Sequence, residues 1–99
     1  MLDKRSAIVT GSTSGIGLGI AQALARQGAA IMLNGLGDRA EVEATRAGLA
    51  KETGVKVAYS DADMSKPDQV RGMVEVAAQT FGSVDILINN AGIQFVAPV

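Results

Sequence analysis

The chain has 99 residues, 47% of them hydrophobic and 19% charged, a globular balance that fits one small domain or part of a larger one and excludes a disordered segment. Nine basic and ten acidic side chains give a net charge of −1, and the only aromatics are one Tyr and two Phe, so neither the basic stripe nor the stacking platform of a nucleic-acid binder is present. With no Cys and no His there is no disulfide, no thiolate or imidazole metal site and no imidazole base, and no apolar run approaches the roughly 20 residues of a membrane helix, so a cytoplasmic chain without a membrane partner is expected.

Strand-like and helix-like segments alternate along the chain. Ala7-Ile8-Val9 reads as a short buried strand ending at Gly11. Gly15 to Gln27 carries Ile16, Ile20 and Leu24 at four-residue spacing, one apolar helix face, with Gly28 as its stop. Ala30-Ile31-Met32-Leu33 is a second buried strand, closed by Asn34-Gly35. A second helix spans about Arg39 to Lys51, capped by Asp38 with Glu41 in the capping-box position and ended by Gly54. Val55 to Tyr59 is strand-like. Ser65 is the expected cap of a third helix, with Pro67 where its missing N–H does no harm and Asp68 in the box position. Val70, Met73, Val74, Ala77 and Phe81 form the apolar face of that helix, and Gly82 stops it. Asp85-Ile86-Leu87-Ile88-Asn89 is a fourth strand, followed by Asn90-Ala91-Gly92.

This alternation predicts an α/β fold: a doubly wound parallel sheet in the strand order 3-2-1-4, truncated after the fourth strand, with residues 1–99 the N-terminal part of a single domain. The fourth strand is as apolar as a central strand, yet nothing follows to cover its outer edge. The expectation is that the natural fold continues beyond Val99, and that the 99 residues alone are marginally stable or self-associate.

Between the first strand and the first helix stands Thr10-Gly11-Ser12-Thr13-Ser14-Gly15-Ile16-Gly17. One glycine allows the tight turn, a second lets backbone N–H groups approach a pyrophosphate, and a third lets helix and sheet pack closely. A helix N-terminus offers unpaired N–H donors and partial positive charge to the anion, and Thr13 and Ser14 add hydroxyl donors. The spacing is G-x-x-x-G-x-G; a Walker loop is excluded because no Lys-Ser/Thr pair follows. An ordinary Gly/Ser turn is the bland alternative.

Dinucleotides bind beyond the carboxyl ends of the strands, where strand order reverses. At the end of strand two, an acid would meet a ribose 2′-OH and an Arg a 2′-phosphate, but Gly35 and Leu36 stand there, and the first cation downstream is Arg39. Asp63, after strand three, could accept from an adenine amino group or simply form an Asx-turn. Asn90, Ala91 and Gly92 could lie against a ribose or form a plain turn. Tyr59, the only tyrosine, has Asp63 and not Lys four residues on, so it reads as a strand residue and not as a catalytic acid.

Together, Thr10-Gly11-x-x-x-Gly15-x-Gly17, the Asp after strand three and Asn89-Asn90-Ala91-Gly92 resemble the short-chain dehydrogenase/reductase family over all 99 residues. Within it, Gly11 to Ile20, Leu33 to Asp38 and Asn89 to Gln94 are most similar to the bacterial branch that interconverts (R)-3-hydroxybutyrate and acetoacetate with NAD. The resemblance implies that Gly11, Thr13, Ser14, Gly15, Ile16 and Gly17 hold the pyrophosphate and neighbouring ribose, that Leu36 lines the adenosine ribose pocket, and that Asp63 and Met64 meet adenine. It implies that Asn90, Ala91 and Gly92 border the ribose and nicotinamide, and that Gln94 faces the carboxylate of a small hydroxy-acid substrate. The family's catalytic Asn, Ser, Tyr and Lys would fall after Val99, so no catalytic residue is assigned and the chain alone is expected to be inactive. The full-length protein is expected to be a homotetramer. A 3-ketoacyl thioester reductase of the same family and a non-catalytic nucleotide-binding remnant stand as alternatives.

Overall fold

The computed structural model describes residues 2–90. Four strands and three helices alternate: β1 (Ser6–Val9), α1 (Gly15–Arg26), β2 (Ala30–Asn34), α2 (Arg39–Thr53), β3 (Val57–Ser60), α3 (Pro67–Phe81) and β4 (Ile86–Ile88). The sheet is wholly parallel with the order β3-β2-β1-β4. Parallel neighbours need crossovers, and each helix supplies one. The first two move the chain one strand outward; α3 returns it past β1, so the strand order reverses between β1 and β4.

The strands bury both faces. Ala7, Val9, Ile31, Leu33 and Val57 pack with Ala21 and Ala25 of α1 and Leu49 of α2. Ile8 and Met32 point the other way, onto Met73 and Ala77 of α3. Period-two alternation thus divides each short apolar run between two helical layers. On α3, Val74 and Phe81 join Met73 and Ala77 in the packed face, as their spacing predicts.

Several local expectations need correction. The inward residues of α1 are Gly17, Ala21 and Ala25, while Ile16 is 77% exposed. Close approach of helix to sheet selects the smallest side chains for the line of contact, and Ile20 and Leu24 only flank it. α3 is preceded by Lys66 and begins on Pro67; Ser65 does not cap it, because its hydroxyl is bonded to Asp63. β3 starts at Val57, two residues later than its apolar run. β4 is shorter than expected because the Asp85 carboxylate accepts from the Ser6 N–H at 2.9 Å, alongside Arg5 at 3.6 Å. At α2 the sequence signals hold: Asp38 Oδ2 accepts from Glu41 N–H at 3.2 Å, and Gly54 closes the helix at φ 78°.

The two margins of the sheet differ. On β3, Arg46 donates to the Val57 carbonyl at 2.9 Å while Glu43 grips the same guanidinium at 2.8 and 2.6 Å. On β4, Ile86 and Ile88 pack inward, but Leu87 is 57% exposed.

Candidate functional site

The registers Val9↔Leu33, Val9↔Ile88 and Leu33↔Tyr59 bring the carboxyl ends of all four strands level. The glycine-rich turn leaves β1 at that level and is tied to each neighbour. Ser12, fully buried, donates its hydroxyl to the Val9 carbonyl at 2.6 Å and accepts from Asn34 N–H at 3.0 Å. Its own N–H donates to the Asn34 carbonyl at 2.6 Å. The Asn34 amide continues the chain of bonds, donating to the Ser60 and Ala62 carbonyls at 3.1 and 3.0 Å. On the other side, Thr10 N–H donates to the Ile88 carbonyl and the Asn90 amide donates to the Gly11 carbonyl at 3.1 Å. Gly11 and Gly15 hold φ near 60°, the left-handed region that favours glycine.

The turn delivers the N-terminus of α1 without a cap. Ser14, the residue before the helix, is extended and makes no side-chain cap bond, and no acid stands in the first turn. α2 by contrast is capped by Asp38, and α3 carries Asp68 in its first turn. The first N–H groups of α1 thus have no side-chain cap and no first-turn acid, and a helix N-terminus of that kind can take an anion, with the helix dipole behind it. A Cβ on Gly15 would meet nothing within 4 Å among the described residues.

Beside the turn lies a cleft of about 390 Å³ lined by Gly11, Gly35, Leu36, Asp63 and Met64 among others, so the three residues expected around an adenosine, Leu36, Asp63 and Met64, meet in one place next to Gly11. Leu36 is 82% exposed and offers an apolar surface. Gly35 has φ 150°, and a Cβ there would stand 2.8 Å from Thr13 Oγ1. That hydroxyl donates to the Leu36 carbonyl at 3.0 Å. A side chain at position 35 would therefore be strained and would crowd Thr13. A neighbouring cleft of about 470 Å³, lined by Thr13, Ser14 and Leu36, also carries Asp38 and Glu41 and no cation.

Asp63 does form an Asx-turn: Oδ1 accepts from Ser65 N–H at 2.9 Å and from Ser65 Oγ at 2.7 Å. The turn and the cleft position are compatible, since both bonds fall on one oxygen. The Ser65 hydroxyl, then its N–H, hold the Asp63 carboxyl below the usual carboxylate range. A depressed carboxyl contributes stability that is present above its unfolded pKa and is lost as pH falls through the folded one. Ser65→Ala is expected to return the Asp63 titration upward toward its ordinary position, followed by the side-chain carboxyl signal in NMR; an unmoved midpoint would show that Ser65 is not the cause.

The chain matches the short chain dehydrogenase family over residues 5–99. It belongs to that family. It is 54% identical over 101 residues to a D-beta-hydroxybutyrate dehydrogenase of Cupriavidus necator, covering all of this chain and 38% of that protein. It is 45% identical over 95 residues to a protein of the same name from Rhizobium meliloti, covering 96% of this chain and 37% of that one. A 3-oxoacyl-(acyl-carrier-protein) reductase of Chlamydia muridarum is 39% identical, covering 94% and 37%. Among solved structures, L-sorbose reductase from Gluconobacter frateurii, complexed with NADPH and L-sorbose, superposes with a TM-score of 0.83 at 37% identity, over 92% of this chain and 34% of that one. The chain thus spans little more than a third of the relatives it matches.

Ala91, Gly92 and Gln94, assigned from the short-chain dehydrogenase resemblance, lie outside the described residues. Among the described residues there is no cluster of acidic side chains able to hold a metal, and no helix is long and apolar enough to cross a membrane. Sequence reasoning passed over Ser12 and the Asn34 amide, which join the turn to β2 and β3. The available signal was a polar residue ending an apolar strand. It also treated Asp38 only as a cap, although the residue also lines the cleft beyond Leu36.

Proposed function

We propose that the chain binds NAD along the carboxyl ends of its strands, and that the protein carrying it interconverts (R)-3-hydroxybutyrate and acetoacetate. The observation that carries the cofactor reading is the uncapped first turn of α1 beside the cleft of Leu36, Asp63 and Met64. The residues fit a dinucleotide: the turn from Gly11 to Gly17 takes the diphosphate, Leu36 the adenosine ribose, and Asp63 with Met64 the adenine. Asn90, Ala91 and Gly92 would border the nicotinamide half. When bound, the nicotinamide supplies a hydride acceptor for the carbinol carbon, while the hydroxyl proton leaves to a base.

We assign that base to no residue of this chain. There is no His, and the single phenol, Tyr59, is engaged with the Gly35 carbonyl. The part of these residues is to bind and orient. NAD over NADP is supported by the acids Asp38 and Glu41 in the cleft beyond Leu36, where a 2′-phosphate would meet like charge and no cation. The substrate reading is supported by the two D-beta-hydroxybutyrate dehydrogenases at 54% and 45% identity. Gln94 would donate its amide to the substrate carboxylate, recognising an anion without adding charge. A second reading, an NADP-dependent reductase of 3-oxoacyl thioesters, is favoured by the Chlamydia relative and by the NADPH in the sorbose reductase.

The test is steady-state kinetics of the full-length protein with hydroxy acid and both cofactors varied. NAD is expected to be preferred over NADP by at least about tenfold in kcat/KM, and Gln94→Leu to raise the KM for 3-hydroxybutyrate about tenfold with that for NAD unchanged. Equal use of both cofactors removes the NAD reading, and turnover of oxoacyl thioesters alone selects the second one.

A further inference from the structure

We propose that Tyr59 is a positioning residue of the cofactor site, its phenol holding the Gly35 carbonyl and so fixing the β2–α2 loop that receives the adenosine ribose. The inference rests on the cofactor reading above. Tyr59 pairs with Leu33 across the β2–β3 ladder, and its ring packs against the core on the α1–α2 face of the sheet. From there the hydroxyl reaches past the end of β2 and donates to the Gly35 carbonyl.

Residues 35–37 belong to no helix or strand, and the Leu36 side chain is 82% exposed. Among the described residues, two outside side chains hold the loop by hydrogen bonds to successive carbonyls: Tyr59 on Gly35 and Thr13 on Leu36. A peptide is planar, so fixing a carbonyl also fixes the N–H of the next residue. Tyr59 therefore sets the direction of the Leu36 N–H, and Thr13 that of the Gly37 N–H. Those two N–H groups are donors this loop can turn toward a ribose, and position 35 carries no side chain to add one. Burial, and then the charge of Asp61, push the phenol's pKa upward, so it stays a donor throughout the neutral range. A tyrosine serving only as a strand residue needs no hydroxyl.

The experiment compares Tyr59→Phe with the unaltered full-length protein; the ring and its packing remain and one donor goes. Two quantities are read: backbone 15N order parameters without cofactor, and the NADH dissociation constant by fluorescence titration. The order parameters of Leu36 and Gly37 are expected to fall from about 0.85 to below about 0.6 while Ile31 to Leu33 stay rigid, and the NADH dissociation constant to rise about fivefold. In turnover, KM for NAD should rise with kcat unchanged. Thr13→Val, acting on the next peptide plane, should lower the Gly37 order parameter in the same local way. If Tyr59→Phe leaves the order parameters unchanged, or lowers them without weakening NADH, the proposal is wrong. If the unaltered protein itself binds no dinucleotide, the cofactor reading fails and the proposal with it, and that arm alone reveals which has failed.

Discussion

Gly17→Ala is expected to cost about 3 kcal/mol of stability and a hundredfold or more in dinucleotide affinity. A Cβ at position 17 would stand 2.1 Å from the Gly11 carbonyl oxygen, 2.8 Å from the Gly11 carbonyl carbon and 2.6 Å from the Asn90 amide nitrogen. The amide can rotate away, at the cost of its bond to Gly11; the backbone cannot. Either α1 backs off the sheet or the turn shifts, and both move the N–H groups meant for a diphosphate. Overpacking alone costs about 1–3 kcal/mol, and the lost Asn90 bond adds about 1. Gly19→Ala is the control: nothing lies within 4 Å of its Cβ, it sits inside the same helix, and it should stabilise by about 0.5–1 kcal/mol. Urea unfolding and NADH titration of both variants check the pair. Similar midpoints for the two would mean that the close approach at Gly17 is unimportant.

Asn34→Asp should be as damaging at neutral pH and should reveal itself through pH. The Asn34 side chain is 1% exposed, and its amide donates to two carbonyls. The replacement has the same shape but turns acceptor oxygens toward the Ser60 and Ala62 carbonyls. Two donors are lost in a buried place, and a charge there has no partner, for a cost of about 3–5 kcal/mol. Ionisation is disfavoured in the folded state, so the introduced carboxyl has a folded pKa raised above its unfolded value of about 3.9. Folding then takes up protons, and the variant's deficit relative to the parent is smallest below pH ~4 and grows as pH rises through the folded pKa. Asn34→Ala removes the same bonds without a charge, and its deficit should not vary with pH. The check is the urea midpoint of the three proteins at pH 4 and pH 7; an equal deficit for Asn34→Asp at both would rule out buried ionisation.

Much of this fold is legible in the sequence because its signals are local. Apolar runs such as Ala30 to Leu33 are too short for helices, and Asp38, Gly54 and Gly82 punctuate the helices where the physics of caps requires. Alternation and handedness narrow the strand order, and the dinucleotide-binding pattern selects 3-2-1-4 among those they allow. The inward face of α1 is not legible in the same way. Hydrophobicity points to Ile16, but proximity of backbone to backbone decides the matter, and that favours Gly17, Ala21 and Ala25. Ser65 looks like a cap because Ser commonly is one; its hydroxyl is drawn instead to Asp63, two residues earlier. In the site, the glycine spacing marks the turn and Leu36 and Asp63 mark the cleft. The Ser12–Asn34 pair and the Tyr59–Gly35 bond join residues 22 and 24 positions apart, and no periodicity encodes such a meeting.

The guanidinium seated on the Val57 carbonyl gives the sheet a direction of growth. A strand laid against the outside of β3 would have to displace an arginine already neutralised by Glu43, and would gain little for doing so. β4 offers no such obstruction among the described residues, and its Leu87 remains uncovered. Any further strand, from the same polypeptide or another, therefore meets one closed margin and one open one. A further strand would therefore be added at β4, next to the crevice where strand order reverses, and so beside the site and not behind it.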